Sequence, residues 1–239
     1  MKKKLVLLVT VLILGLGAVA ISRILLVKDS PTQALGVKQI VKNEGEEAKT
    51  VTIKKAGYYD ITTLKANDAE KARSQIPELG RTRLGQYVDE GESISLYAGE
   101  VATYQPAKFE KIAEKKGAYV LSEIGNYLIG EQFPGGDYTV SIDGAFSEWT
   151  DKSGNIMAGQ VQLVVYTPDN IKESKSFKLT EDKPSLKIKV KNQQFLAVKT
   201  TDPGLSVFLK RVYCRVMIND YDKNNLTYVG RTIYRSVCL

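Results

Sequence analysis

Residues 125–143 read GNYLIGEQFPGGDYTVSID, and this stretch indicates the fold class of the chain. Two short segments of alternating apolar and polar residues flank Pro134, Gly135 and Gly136. Because proline fixes its own φ and glycine accepts a positive φ, we predict a β-hairpin turn here. On the strand that follows the turn, one face is apolar and carries Tyr138, Val140 and Ile142. The opposite face is polar and carries Thr139, Ser141 and Asp143.

The same period-two alternation recurs along the chain and predicts further strands. It is clear in residues 49–55, 57–64, 92–99, 137–143, 160–166, 185–191 and 195–200. We therefore predict an all-β fold. The one convincing helix pattern is residues 68–76, ended by Pro77, whereas residues 108–116 are ambiguous.

The strand patterns also recur in the same order, which favours a tandem repeat. Gly57–Ile61 aligns with Gly136–Val140 at an offset of 79, and Ser93–Leu96 aligns with Ser185–Ile188 at an offset of 92. We predict two tandem antiparallel β-sandwich modules. The alternative is that any two antiparallel sandwiches share such alternation. The predicted boundaries are residues 36–116 for the first module, residues 117–212 for the second, and residues 213–239 for a C-terminal strand pair packed on it.

The N-terminus has the pattern of an export signal. Lys2, Lys3 and Lys4 precede a 17-residue run without charge, so we assign residues 1–28 to a signal peptide or membrane anchor and residues 29–35 to a linker. Cleavage near Ala20 would release the protein. An uncleaved helix from Leu5 to Val27 would be about 34 Å long and would span the cell membrane. Both outcomes carry residues 29–239 across the membrane.

Charge and composition exclude several classes of function. The first 28 residues contribute +5 of the net charge of +7, so the remaining +2 argues against a nucleic-acid partner. The chain contains no histidine, which excludes Ser-His and Cys-His catalytic systems. We expect no cofactor. We also expect no metal ion, because the Asp220-x-Asp222-x-Asn224 pattern lacks the glycine and glutamate of a calcium loop.

The opening stretch also resembles a known family. Gly125-x-Tyr127-x-Ile129-Gly130-x-Gln132-Phe133-Pro134-x-Gly136-x-Tyr138-x-Val140 resembles the G-x-Y-x-V-G-x-D-I-P-x-G-x-Y-x-V repeat of secreted and surface-attached proteins from Gram-positive bacteria, many of them uncharacterised. Gln132 replaces the usual Asp, and Phe133 replaces the usual Ile. The resemblance covers about 16 residues. It implies small β-sandwich modules outside the membrane, and it implies no particular activity.

Two groups of residues are candidates for ligand binding. Phe146 and Trp149 lie in a Gly- and Ser-rich segment and form either an aromatic platform for a sugar or partner chain, or a cap on the second core. Lys187, Lys189 and Lys191 alternate with apolar residues and would form a cationic row. That row would either bind an anionic envelope polymer or simply be a solvated face that discourages edge-to-edge pairing.

The two cysteines, Cys214 and Cys238, flank a polar turn. Since disulfides persist outside the cytoplasm, we predict an intramolecular bridge, with two free buried thiols as the alternative.

Together these features predict a non-catalytic binding or interaction protein of the cell envelope. Its partners would be the cell membrane, through the N-terminal helix, and an anionic envelope polymer or another envelope protein. One alternative is an envelope enzyme that acts on glycan through Glu148 and Asp151, since two carboxylates near an aromatic ring suit glycoside hydrolysis. The other is a structural stalk or assembly subunit without a small ligand.

Overall fold

The computed structural model describes residues 31–32, 34–67, 75–144, 146, 148–150, 156–200, 205–221 and 228–235. Along residues 149–150, 156–157, 214–221 and 228–235 it describes the backbone alone. The chain divides into two units, Met1–Ala34 and Leu35–Leu239, and every strand below belongs to the second unit. The predicted signal or anchor segment, residues 1–28, lies outside the described residues.

All regular secondary structure in the described part of the chain is β-strand, which confirms the predicted all-β fold class. The strands are β1 (Gln39–Lys42), β2 (Lys49–Thr52), β3 (Gly57–Lys65), β4 (Thr82–Val88), β5 (Ser93–Leu96), β6 (Val101–Pro106), β7 (Ala118–Leu121), β8 (Ile124–Leu128), β9 (Gly136–Asp143), β10 (Glu148–Thr150), β11 (Ile156–Ala158), β12 (Val161–Thr167), β13 (Asn170–Leu179), β14 (Ser185–Val190), β15 (Phe195–Thr200), β16 (Ser206–Arg211), β17 (Cys214–Tyr221) and β18 (Tyr228–Arg235).

The largest sheet has eight strands in the order β1-β6-β3-β4-β8-β15-β12-β13. A four-stranded sheet has the order β14-β9-β16-β7, and the pairs β2-β5, β10-β11 and β17-β18 are separate ladders. Every pairing is antiparallel except that of β4 with β8, which is parallel. The eight-stranded sheet is therefore continuous across the two sequence halves.

Two clusters of buried side chains lie beneath this sheet. The first joins residues of β1, β3, β4 and β6 to residues of β5, with Tyr59 and Leu96 both fully buried. The second joins residues of β8, β12 and β15 to residues of β7, β9, β14 and β16, with Leu163 and Tyr138 fully buried. Each cluster fills the space between the eight-stranded sheet and a smaller one.

The parallel pair β4–β8 requires close approach of the two backbones. Leu84 lies opposite Gly125, whose φ is +133°. A Cβ on Gly125 would lie 2.3 Å from Leu84 O and 2.4 Å from Leu84 N. Nearby, Asn126 Nδ2 donates to Gly85 O over 3.0 Å. Glycine is needed where the halves of the sheet meet because any side chain would collide with backbone.

Three Gly-x-Tyr segments share one local geometry. In each, the tyrosine hydroxyl donates over 2.6 Å to the carbonyl oxygen four residues earlier, and the ring is at most 2% exposed. The glycine two residues before the tyrosine has a positive φ of +133° to +158° in all three. The three segments are Gly57–Tyr59, Gly125–Tyr127 and Gly136–Tyr138. The buried hydroxyl thus fixes the bend at which each strand begins.

The hairpin predicted around Pro134 is wrong, because β8 belongs to the eight-stranded sheet and β9 to the four-stranded sheet. The buried rings of Phe133 and Tyr138 both enter the second core, so the chain crosses from one sheet to the other. Gly135 has no positive φ, and its N–H donates to Asn192 Oδ1 over 2.8 Å. The predicted alternation within β9 is correct, since Tyr138 and Val140 are buried.

Gln132 has a defined role in this crossing. Its side chain is buried, and its Oε1 accepts a hydrogen bond from Leu128 N over 2.8 Å. Its own N–H donates to Leu128 O over 3.0 Å. The Gln132 carboxamide therefore supplies a hydrogen-bond acceptor for the end of β8.

An aromatic cluster joins strands of the two sequence halves. Phe195 of β15 is fully buried and stacks on Tyr58 of β3 at 5.2 Å and on Tyr166 of β12 at 5.5 Å between ring centroids. Phe109 lies 5.7 Å from Tyr58 and 5.9 Å from Phe195. This contact and the β4–β8 pair hold the two halves together.

The two helix patterns have different outcomes. Residues 68–74 of the predicted helix lie outside the described residues, and residues 75 and 76 form a bend. The ambiguous segment 108–116 is not helical: Phe109 and Lys116 have left-handed φ values of 46° and 51°. Among the described residues there is no helix of the length and apolarity needed to cross a membrane.

We expect Tyr138→Phe to lower the free energy of unfolding by about 1–2 kcal/mol, because the carbonyl of Pro134 loses its donor while the ring stays in the core. For a chain of this size the melting temperature should fall by roughly 2–8 °C. Tyr87→Phe is the matched control, since Tyr87 is 44% exposed. Equal thermal melts for the two variants would contradict this role for the Tyr138 hydroxyl.

Candidate functional site

Lys187 and Lys189 of the lysine row predicted from sequence lie on β14, an edge strand of the four-stranded sheet, and Lys191 directly follows the end of that strand. Lys187, Lys189 and Lys191 are exposed, whereas Ile188 and Val190 are buried in the second core. Alternate residues of a strand point to opposite faces, so the Lys187 and Lys189 side chains share the outer face, with Cα atoms roughly 6.6 to 7 Å apart along the strand. Lys191 is exposed at the end of the same strand.

The register of the sheet adds a fourth lysine that the sequence pattern does not reveal. Lys187 of β14 lies opposite Thr139 of β9, and Thr139 lies opposite Lys210 of β16. Lys210 is exposed. Residues directly opposite one another share a face, so Lys187 and Lys210 flank Thr139 at a Cα separation of about 10 Å. We call Lys187, Lys189, Lys191 and Lys210 the cationic face.

One carboxylate moderates the charge of this face. Asp137 of β9 lies opposite Lys189, so the field of Lys189 is partly offset. Within the described residues none of the four lysines forms an ion pair. The face therefore carries a net local charge of +3 from these five side chains, all on one sheet surface.

The lysines that precede β14 extend the positive charge around the sheet edge. Lys172, Lys175 and Lys178 are exposed on β13, the edge strand of the eight-stranded sheet. Leu179, at the end of β13, shares the second core with Ile188 of β14. Residues 161–199 contain eight lysines and four acidic residues.

The aromatic candidates lie near the β10–β11 ladder. Phe146 is partly buried and packs against the second core, which agrees with a capping role. Trp149 pairs with Met157 along the backbone, and the Trp149 side chain is outside the described residues. Glu148 is exposed opposite Ala158, and Asp151 lies outside the described residues, so their pairing stays a prediction.

A cavity of about 340 Å³ that sequence analysis missed lies beside the β4–β8 pair. Asp60, Glu110 and Glu123 are among the side chains that line it. Asp60 Oδ1 accepts from Gly85 N over 2.9 Å, and Oδ2 accepts from Lys108 N over 3.2 Å. Burial raises the pKa of Asp60, although the two N–H donors oppose that shift. Through these two hydrogen bonds the Asp60 carboxylate connects the segment after β6 to β4. Only the tertiary structure brings these acids together, since they are distant in sequence.

The predicted disulfide involves a residue outside the described part of the chain. Cys214 lies opposite Arg235 in the β17–β18 ladder, and Cys238 is not described. The Cys214–Cys238 bridge therefore stays a prediction. In the described residues no group of three or more acidic, histidine or cysteine side chains is arranged to hold a metal ion.

Comparison with protein-family models and with curated proteins finds no match to this chain.

Proposed function

We propose that this protein is a non-catalytic binding protein of the cell envelope, held at the membrane or secreted, and that its cationic face binds a phosphate-bearing envelope polymer. The observation that carries this proposal is the alignment of Lys187 and Lys210 across Thr139. An extended polyanion can lie along the cationic face, because its charges repeat at short intervals and each lysine can contact one of them.

The electrostatics of the face fit a polymer better than a single small anion. The lysines are exposed, so each contributes little to the binding of an isolated ion. Several together near an anionic surface contribute about 1 kcal/mol each. Such binding is sensitive to salt, since exposed charges are screened over about 8 Å at physiological ionic strength.

We further propose that the exported part consists of two tandem β-sandwich modules, residues 36–116 and 117–212. Two observations support it. The eight-stranded sheet takes β1, β3, β4 and β6 from the first half and β8, β12, β13 and β15 from the second. The aligned segments Gly57–Tyr59 and Gly136–Tyr138 share one tyrosine hydrogen bond, although β3 lies in the eight-stranded sheet and β9 in the four-stranded sheet. The N-terminal apolar run and the family motif support an extracellular location.

The test is a binding measurement with purified poly(glycerol phosphate) at low salt. The variant Lys187→Gln, Lys189→Gln, Lys191→Gln, Lys210→Gln removes four charges, and we expect affinity to fall roughly a hundredfold or more. Thermal stability should change little because these side chains are exposed.

A second fourfold variant is the matched control. Lys54→Gln, Lys55→Gln, Lys65→Gln, Lys115→Gln removes the same charge from exposed positions in the first half of the chain. It should bind within a few-fold of the natural protein. Equal loss in both variants would show that net charge alone drives binding, and unchanged binding in the first would leave the cationic face as a solubility feature. Vesicles of anionic phospholipid, tested in parallel, distinguish a lipid headgroup from the polymer as the phosphate source.

A further inference from the structure

A second cavity, of about 160 Å³, opens at one end of the second core. Its floor is apolar and consists of buried side chains from the segment before β4 and from β7, β12, β15 and β16: Ile76, Leu121, Val161, Val198 and Val207. A cavity of about 150 Å³ is known to hold a benzene molecule, so this one accommodates a branched aliphatic group of about four or five carbons.

The mouth of this cavity carries both signs of charge. Arg81 and Arg83 of the cavity lining are partly exposed, as is Glu123, and Glu78 is exposed. Two guanidinium groups and two carboxylates thus surround an apolar floor. The charges of these four described side chains sum to zero, which distinguishes the mouth from the cationic face.

Glu123 provides the most specific observation, and it lines both this cavity and the 340 Å³ cavity beside the β4–β8 pair. Its Oε2 is buried and has no hydrogen-bond partner in the part of the chain that the structure describes. Its backbone is held in place, because Tyr127 Oη donates to Glu123 O over 2.6 Å and Glu123 N donates to Tyr127 Oη over 3.3 Å. A buried carboxylate oxygen without a donor is costly, and a bound donor would remove that cost.

We infer that this cavity binds a small zwitterion with a branched aliphatic body, that is, an aliphatic amino acid. Its ammonium group donates to Glu123, its carboxylate accepts from Arg81 and Arg83, and its side chain occupies the apolar floor. Guanidinium groups suit a carboxylate because they donate two parallel hydrogen bonds. A plain fatty acid leaves Glu123 unpaired, and a plain amine makes no use of the arginines.

The test is calorimetric titration of the full chain with free L-leucine, for which we expect a Kd of about 1 mM or tighter. Three analogues each lack one feature: 4-methylpentanoate lacks the ammonium group, isoamylamine lacks the carboxylate, and glycine lacks the aliphatic body. Each should bind at least about tenfold more weakly than leucine. Absence of saturable leucine binding, or equal binding of leucine and all three analogues, would overturn the inference.

Two variants locate the site. Glu123→Gln keeps the size of the side chain, and it should weaken leucine binding about tenfold while leaving 4-methylpentanoate binding unchanged. Val207→Phe fills the floor and should abolish leucine binding. Because that second variant also perturbs the core, the contrast between the two ligands in Glu123→Gln is the decisive readout. Glu90→Gln, an exposed change in the turn before β5, is the control. Leucine binding that survives Glu123→Gln at full strength would contradict the assignment.

Discussion

Gly125→Ala is expected to lower the free energy of unfolding by about 4 kcal/mol or more, or to prevent folding. The new Cβ would lie 2.3 Å from Leu84 O and 2.4 Å from Leu84 N, and these backbone atoms cannot move without breaking the β4–β8 pair. The φ of +133° adds strain for any residue with a Cβ. The melting temperature should therefore fall by roughly 8–16 °C.

Gly117→Ala is the matched control for this prediction. Gly117 has a φ of +78°, but a Cβ there would meet no atom within 4 Å. Gly117→Ala should lower the free energy of unfolding only by the backbone strain, about 1–2 kcal/mol. Chemical denaturation of both variants separates strain from collision, and equal destabilisation would show that the contact with Leu84 is not the limiting factor. Hydrogen exchange of β4 and β8 amides should accelerate in Gly125→Ala alone.

Phe195→Ala should lower the free energy of unfolding by about 3–5 kcal/mol. The Phe195 ring is fully buried and contacts Tyr58, Phe109 and Tyr166, so its removal leaves a cavity among three rings. The loss should appear as a lower denaturation midpoint with an unchanged m-value, since the surface exposed on unfolding is nearly the same.

Two variants calibrate the aromatic contribution. Phe195→Leu keeps much of the volume but loses three ring contacts. It should lower the free energy of unfolding by roughly 1.5–4.5 kcal/mol, because each aromatic pair contributes about 0.5–1.5 kcal/mol. Phe208→Ala is the positional control, since Phe208 is partly exposed on the outer face of the four-stranded sheet. A Phe195→Ala effect no larger than that of Phe208→Ala would contradict the role of the cluster in joining the two halves.

Sequence patterning predicted the strands that have one buried and one exposed face. β12 and β14 bury every second residue, and each was predicted within one residue of its bounds. β13 has no such pattern, because eight of its ten residues are exposed, Phe177 is partly buried and only Leu179 is buried. A strand that is exposed along most of its length has no alternation to detect, and its pairing with β12 defines it.

The candidate site shows the same difference between what a local pattern predicts and what depends on strand pairing. The alternation in residues 185–190 is sufficient to place Lys187 and Lys189 on one exposed face. Lys210 cannot be added from sequence, because its relation to Lys187 depends on the registers of β14 and β16 against β9, which is distant from both in sequence. The residues of the 160 Å³ cavity extend from Ile76 to Val207, and no local pattern connects them.

Local side-chain periodicity is sufficient to predict the all-β class, the inward and outward faces of the regular strands, and the exposure of the lysine row, because it can be read within any short segment. Three features can be known only from the folded chain: Pro134 marks a crossing between sheets, β4 and β8 pair in parallel, and Glu123 lines one cavity with Arg81 and Arg83. Those features depend on contacts between distant segments, and their geometry is set when both halves pack around the continuous eight-stranded sheet.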